Sequence, residues 1–172
     1  MKNLKLLFAF MLLFFVFTTI NAQDFQVPKN YTLKVADDYK KLEKDVVDCV
    51  NWLENTPINK DENKRTDANA FFMQWITGSP DVSVAISSYV LDLTEKNPTL
   101  LITFMGAWTR YAIENPEDQD SFNGNFAGLK SIIKVYTNNK DSGIKKDKNV
   151  EKLLKLETDD DLKAWLTKNL KN

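Results

Sequence analysis

The chain contains no histidine, one cysteine and five glycines among its 172 residues. Without histidine there is no imidazole for acid–base catalysis near neutral pH, and the commonest transition-metal ligand is missing. A single cysteine can neither close an intramolecular disulfide nor build a Cys-rich zinc site. The few glycines form no phosphate loop, and there is no Gly-Lys-Ser/Thr sequence, nucleophile elbow or calcium loop. An excess of basic charge is lacking too: 23 Lys+Arg stand against 24 Asp+Glu, a net −1, which argues against a nucleic-acid partner. These absences indicate no cofactor, no metal and no catalytic residue, and they lean away from an enzyme. Disorder is excluded by a composition that is 43% hydrophobic.

What is present begins with an address. Lys2 and Lys5 precede an unbroken apolar run at 6–17, and Thr18, Thr19, Ile20, Asn21 and Ala22 follow. This pattern reads as a signal peptide cleaved after Ala22. The run is shorter than the roughly 18 apolar residues of a spanning helix, so no permanent membrane anchor is expected. Lys2 and Lys5 leave with the segment, so 21 of the 23 basic groups and all 24 acids remain, a net −3. The remaining chain, exported to a periplasm or secreted, divides into an extended segment at 23–35 and one helical domain at 36–172. About 150 residues suffice for one core burying roughly two thirds of the unfolded surface.

Apolar spacing and proline set out that domain. Tyr39, Leu42, Val46, Cys49, Val50 and Leu53 recur at steps of three and four, predicting one helix over 36–55 that ends at Thr56-Pro57. A second runs from 62 to 77 and stops at Gly78 in a left-handed conformation. Ser79-Pro80 and Asn97-Pro98 each read as a cap followed by a first-turn proline, starting helices three and four. The fourth, from Leu100 to Ile113, is apolar almost all round and belongs at the centre. A fifth spans 121–138, where Gly124 and Gly128 four apart suggest close approach of another backbone. Two short helices follow, around Val150 and from Thr158. Tyr31, Leu33 and Val35 alternate, but a lone three-residue pattern has no partner strand. The fold class is all-α: a six- to seven-helix orthogonal bundle, or a short irregular helical-hairpin stack suggested by prolines at 80, 98 and 116.

Few residues stand out chemically. Cys49 lies on the inward stripe of the first helix and reads as a buried, inert thiol. Asp159, Asp160 and Asp161 follow Thr158 and fit a helix cap and its dipole better than a metal cluster. Only two arginines accompany the lysines: Arg65 and Arg110. Arg110 falls in the most apolar helix, where a guanidinium persists only with partners, and Glu114 follows one turn later. Arg65 and Asn69 are likewise one turn apart. If these two helices meet, Arg65, Asn69, Arg110 and Glu114 line one polar pocket suited to an anion. Charge is also segregated along the chain. Glu114, Glu117, Asp118 and Asp120 give 112–129 a net −4, whereas eight lysines against three acids give 130–155 a net +5. That lysine-rich stretch is suited to a protein or an anionic envelope partner. The leading expectation is a non-enzymatic, exported interaction module of the bacterial envelope; the alternative is a small-molecule or anion-binding domain using Arg65 and Arg110.

Overall fold

Residues 25–171, apart from 119, are described by the computed structural model; they form eight helices and no strand. The signal segment at 1–22 lies outside the described residues. In chain order the helices are α1 Ala36–Lys41, α2 Glu43–Asn55, α3 Glu62–Gly78, α4 Ser88–Thr94, α5 Thr99–Glu114, α6 Ser121–Asn138, α7 Lys148–Leu153 and α8 Asp159–Asn169.

Helix α5 is the septum of the molecule. Its Leu100, Phe104 and Trp108 enter one core cluster with residues of α4, α6, α7 and α8, including Leu129, Val150 and Leu166. Ile102, Met105, Ala112 and Ile113 pack on the other cluster, built from α2 and α3 around Val46, Phe72 and Trp75. A helix sandwiched between two cores must be apolar on both sides, which is why its sequence lacks a polar stripe. The segment at 25–35 has no regular structure and lies along the second cluster. Phe25 is buried, Tyr31 meets the Phe71 ring edge-on with centroids 5.2 Å apart, and its hydroxyl donates to Gln74 at 2.6 Å.

Four local expectations are corrected. The helix predicted over 36–55 breaks at Leu42, whose N–H turns back to the Tyr39 carbonyl. That carbonyl also accepts from Trp75 Nε1 at 2.9 Å, and a side chain inserted at a helix carbonyl favours such a break. Gly78 is not left-handed: it ends α3 in helical conformation, and a Cβ there would come within 2.1 Å of Tyr39 Oη.

Ser79-Pro80 starts no helix. Residues 80–87 run without regular structure, and α4 begins only at Ser88. Val82, Val84 and Ile86 alternate with Ser83, Ala85 and Ser87, and β-branched residues at period two resist helix formation. Val82 is buried, and Val84 packs against both clusters. The Ser79 hydroxyl accepts from the Val82 N–H at 3.2 Å, making a local turn. Asn97 does not cap α5 either. It binds Lys145 in both directions, donating to the carbonyl and accepting from the N–H, each at 2.8 Å.

The glycines of α6 do mark a close approach, but by rings and not by backbone. A Cβ on Gly124 would lie 2.4 Å from Trp108 Nε1, and one on Gly128 would lie 2.4 Å from Phe104 Cδ2. Glycine here lets two α5 aromatics come close to the α6 backbone. At the chain's end, Thr158 and Asp161 exchange hydrogen bonds as a capping box for α8, the role expected of that acidic run.

Candidate functional site

The residues singled out in the sequence fall into structural roles. Arg65, on α3, is buried and closes the C-terminal end of α2. Its Nη2 donates to the Thr56 carbonyl at 2.7 Å and the Pro57 carbonyl at 3.2 Å, and its Nη1 donates to Leu53 at 3.3 Å. The guanidinium also sits 5.4 Å from the Trp52 ring centroid. A cation at the negative end of a helix dipole is well placed, since terminal carbonyls have no partner within the helix. Asn69, one turn on, lines with Arg65 and Glu54 a cavity of about 10 Å³, room for roughly one water. The buried Arg65 Nε, without a partner, belongs to the same side chain.

Arg110 does form an ion pair, but not with Glu114, which is exposed. Its Nη2 meets Glu54 Oε1 at 2.9 Å, and its Nη1 donates to Asn51 Oδ1 at 2.7 Å. Glu54 of α2 is almost wholly buried. It also accepts from Ser131 Oγ at 2.6 Å and from Lys134 Nζ at 3.3 Å, both on α6. Burial by itself pushes this carboxyl upward, but Arg110, Ser131 and Lys134 outweigh it and hold the group below the usual carboxylate range. One buried charge thus ties α2, α5 and α6 together. Sequence reading passed over Glu54, although Val46, Val50 and Glu54 are spaced by four and lie on one buried stripe. Ser131 similarly continues the small-residue stripe of Gly124 and Gly128.

Cys49 is fully buried, its thiol donating to the Ala68 carbonyl at 3.4 Å, and burial pushes its pKa up to about 12. It is not a nucleophile at physiological pH. No group of three or more potential ligands among the described residues could share a metal ion.

A much larger concavity lies elsewhere. It is a cleft of about 630 Å³ where the C-terminal half of α5 meets the start of α6, the α1–α2 joint and the irregular segment after Pro80. Trp108 and Tyr111 form its aromatic part; Glu43, Asp81, Asp118 and Asp120 supply carboxylates, and Lys40 is the only cation in the lining among the described residues. Trp108 is only 6% exposed. The pyrrole edge of its indole lies over Gly124, itself part of the cleft lining.

The loop at 115–120 shapes the acidic rim. Tyr111 donates its hydroxyl to Asp118, which also accepts from Asn123 Nδ2 at 2.8 Å and from the Asp120 N–H at 2.9 Å. The Tyr111 bond is the main reason the Asp118 carboxyl lies low, with the Asp120 N–H and Asn123 adding to it. Asp118 is therefore ionised and held in place. Asp120 caps α6 by accepting from the Phe122 N–H at 2.9 Å, and Asp81 is exposed. The cleft presents fixed negative charge beside aromatic rings, which suits a cationic ligand.

A smaller pocket of about 220 Å³ lies between Tyr89, Asp92, Asn149, Lys152, Trp165 and Asn169. Of the lysine-rich stretch, Lys130, Lys134 and Lys140 pair with Asp159, Glu54 and Glu151. Lys145, Lys146 and Lys148 are exposed and form no salt bridge among the described residues. No described helix is long and apolar enough to cross a membrane. Comparison of the chain with protein-family models, curated proteins and solved structures finds no match to any of them.

Proposed function

We propose that the protein is an exported, non-enzymatic binding module that holds a basic segment of a macromolecular partner in the acidic cleft beside Trp108. The observation that carries this reading is the lining of the cleft: among the described residues, four carboxylates stand against one lysine around the Trp108 and Tyr111 rings. A lysine or arginine side chain satisfies the carboxylates and packs its stem on the aromatic rings. Supporting a role in binding, Asp118 and Asp120 already hold the rim loop and cap α6, so their lone pairs maintain the shape of the site. Export is supported by the basic start and the apolar run at 6–17.

A lysine-rich peptide titrated into the mature protein tests the reading. The indole N–H resonance of Trp108 is expected to shift saturably, and Glu43→Lys with Asp81→Lys is expected to weaken binding at least tenfold. These two acids face the cleft without holding the rim loop. A peptide that binds both proteins equally, or leaves the Trp108 resonance unmoved, refutes the site.

The anion-binding alternative uses the same protein differently. In that reading Arg65, with its unpartnered Nε beside the small Asn69 cavity, is the anchor. Its remaining donors already serve the carbonyls after α2, and the cavity has room for water only. The cleft therefore carries the better-supported reading.

A further inference from the structure

Charge is separated along α6. Its first residues, Ser121 and Gly124, line the acidic cleft; the chain that leaves its other end makes the turn bearing Lys145, Lys146 and Lys148. Eighteen helical residues at 1.5 Å each place the two ends about 27 Å apart. Attraction between them is thus weak within one molecule but available at contact distance between two.

The lysine turn is held rigidly. Asn97 clamps both backbone groups of Lys145, Ile144 is buried beneath, and the Tyr136 hydroxyl accepts from the Asp147 N–H at 2.9 Å. Of the nearby acids, Asp147 is buried, Glu151 is engaged by Lys140 and Tyr136 with Lys146 also helping to hold its carboxyl low, and Asp141 is exposed. Three lysines therefore project from a fixed backbone, and a fixed backbone loses little freedom on docking.

We propose that the acidic cleft receives the lysine turn of a second copy, so that the chain associates head to tail. This rests on the reading of the cleft as a site for basic segments and names its occupant. The cleft supplies Glu43, Asp81, Asp118 and Asp120; the incoming turn supplies Lys145 and Lys146, with Lys148 at the start of the following helix. Such a contact uses two different surfaces, so each copy retains one free cleft and one free turn, and assembly proceeds to a ring or an open chain.

Sedimentation of the mature protein tests this. At roughly 1 mM chain and ~0.01 M salt, the average mass should rise well above the monomer and return to it at ~1 M salt, where charges are screened within about 3 Å. Two variants make the test specific: a cleft variant, Glu43→Lys with Asp81→Lys, and a turn variant, Lys145→Glu with Lys146→Glu and Lys148→Glu. Each alone should remain monomeric. Mixed, the intact turn of the first should fill the intact cleft of the second and give one-to-one dimers that grow no further.

A wild-type chain that stays monomeric at low salt overturns the proposal, and so does a mixture that fails to form dimers while circular dichroism shows both variants folded. If a lysine-rich peptide still shifts the Trp108 resonance of such a monomeric chain, self-association fails while the cleft reading stands. If neither peptide nor second copy binds, both fail. Since the wild-type salt series needs no substitution, misfolding of a variant leaves the result decisive.

Discussion

Replacing Arg110 by alanine should be among the most damaging single changes in this protein, although the side chain lies at a half-buried edge. The Arg110 side chain is 22% exposed and the Glu54 side chain it meets is 4% exposed. Removing one partner of a buried ion pair costs about 3–5 kcal/mol, because the remaining charge is left desolvated. Ser131 and Lys134 still contact Glu54, so the lower end, about 3 kcal/mol, applies here. For a domain of this size that corresponds to a fall in Tm of about 6–12 °C. Urea unfolding followed by circular dichroism measures it directly. Glu54→Gln keeps hydrogen-bonding atoms in place and should cost less. Replacing both residues with hydrophobes of similar volume should recover much of the loss, since a well-packed apolar pair can substitute for a buried ion pair.

The same pair sets a pH signature. Because the folded-state pKa of Glu54 is lowered, its stabilisation is fully present above the unfolded value, near ~4.3, and is lost as pH falls through the lower folded value. Wild type should therefore lose more stability than Glu54→Gln over that acid window. An Arg110→Ala variant within about 1 kcal/mol of wild type, the range of an exposed pair, would refute the assignment of Glu54 as a buried charge held by Arg110.

Gly128→Ala should destabilise by about 1–3 kcal/mol despite alanine's better helix propensity, because its Cβ would lie 2.4 Å from a buried Phe104 ring; thermal melts check it. Cys49 should remain unmodified by a thiol reagent in the native protein and react at once in denaturant, since burial raises its pKa to about 12. Equal labelling rates in the two states would contradict that burial. Thr158→Ala should cost about 1 kcal/mol through loss of the α8 capping box, read from chemical denaturation.

The limits of α5 and α6 are legible in the sequence because local chemistry governs them: apolar spacing fills each helix, Asn115-Pro116 ends the first, and Asp120 caps the second. After Pro80 two local signals compete, a proline cap for a helix and the period-two pattern of Val82, Val84 and Ile86, and the second prevails in the fold. An arginine in so apolar a helix needs a partner, and the sequence offers Glu114 one turn away on the same helix. The partner comes instead from α2, 56 residues distant in the chain.

By itself the sequence determined the helical class, the central place of α5, the inert thiol and the cap at Thr158, all consequences of periodicity and short-range backbone chemistry. Only the tertiary structure decided which charges are buried and which face a cleft. The burial of Glu54 depends on α5 and α6 closing over one face of α2, and the acidic cleft gathers residues from five parts of the chain. Desolvation and convergence are set by neighbours in space, and a linear pattern holds those neighbours without saying which will meet.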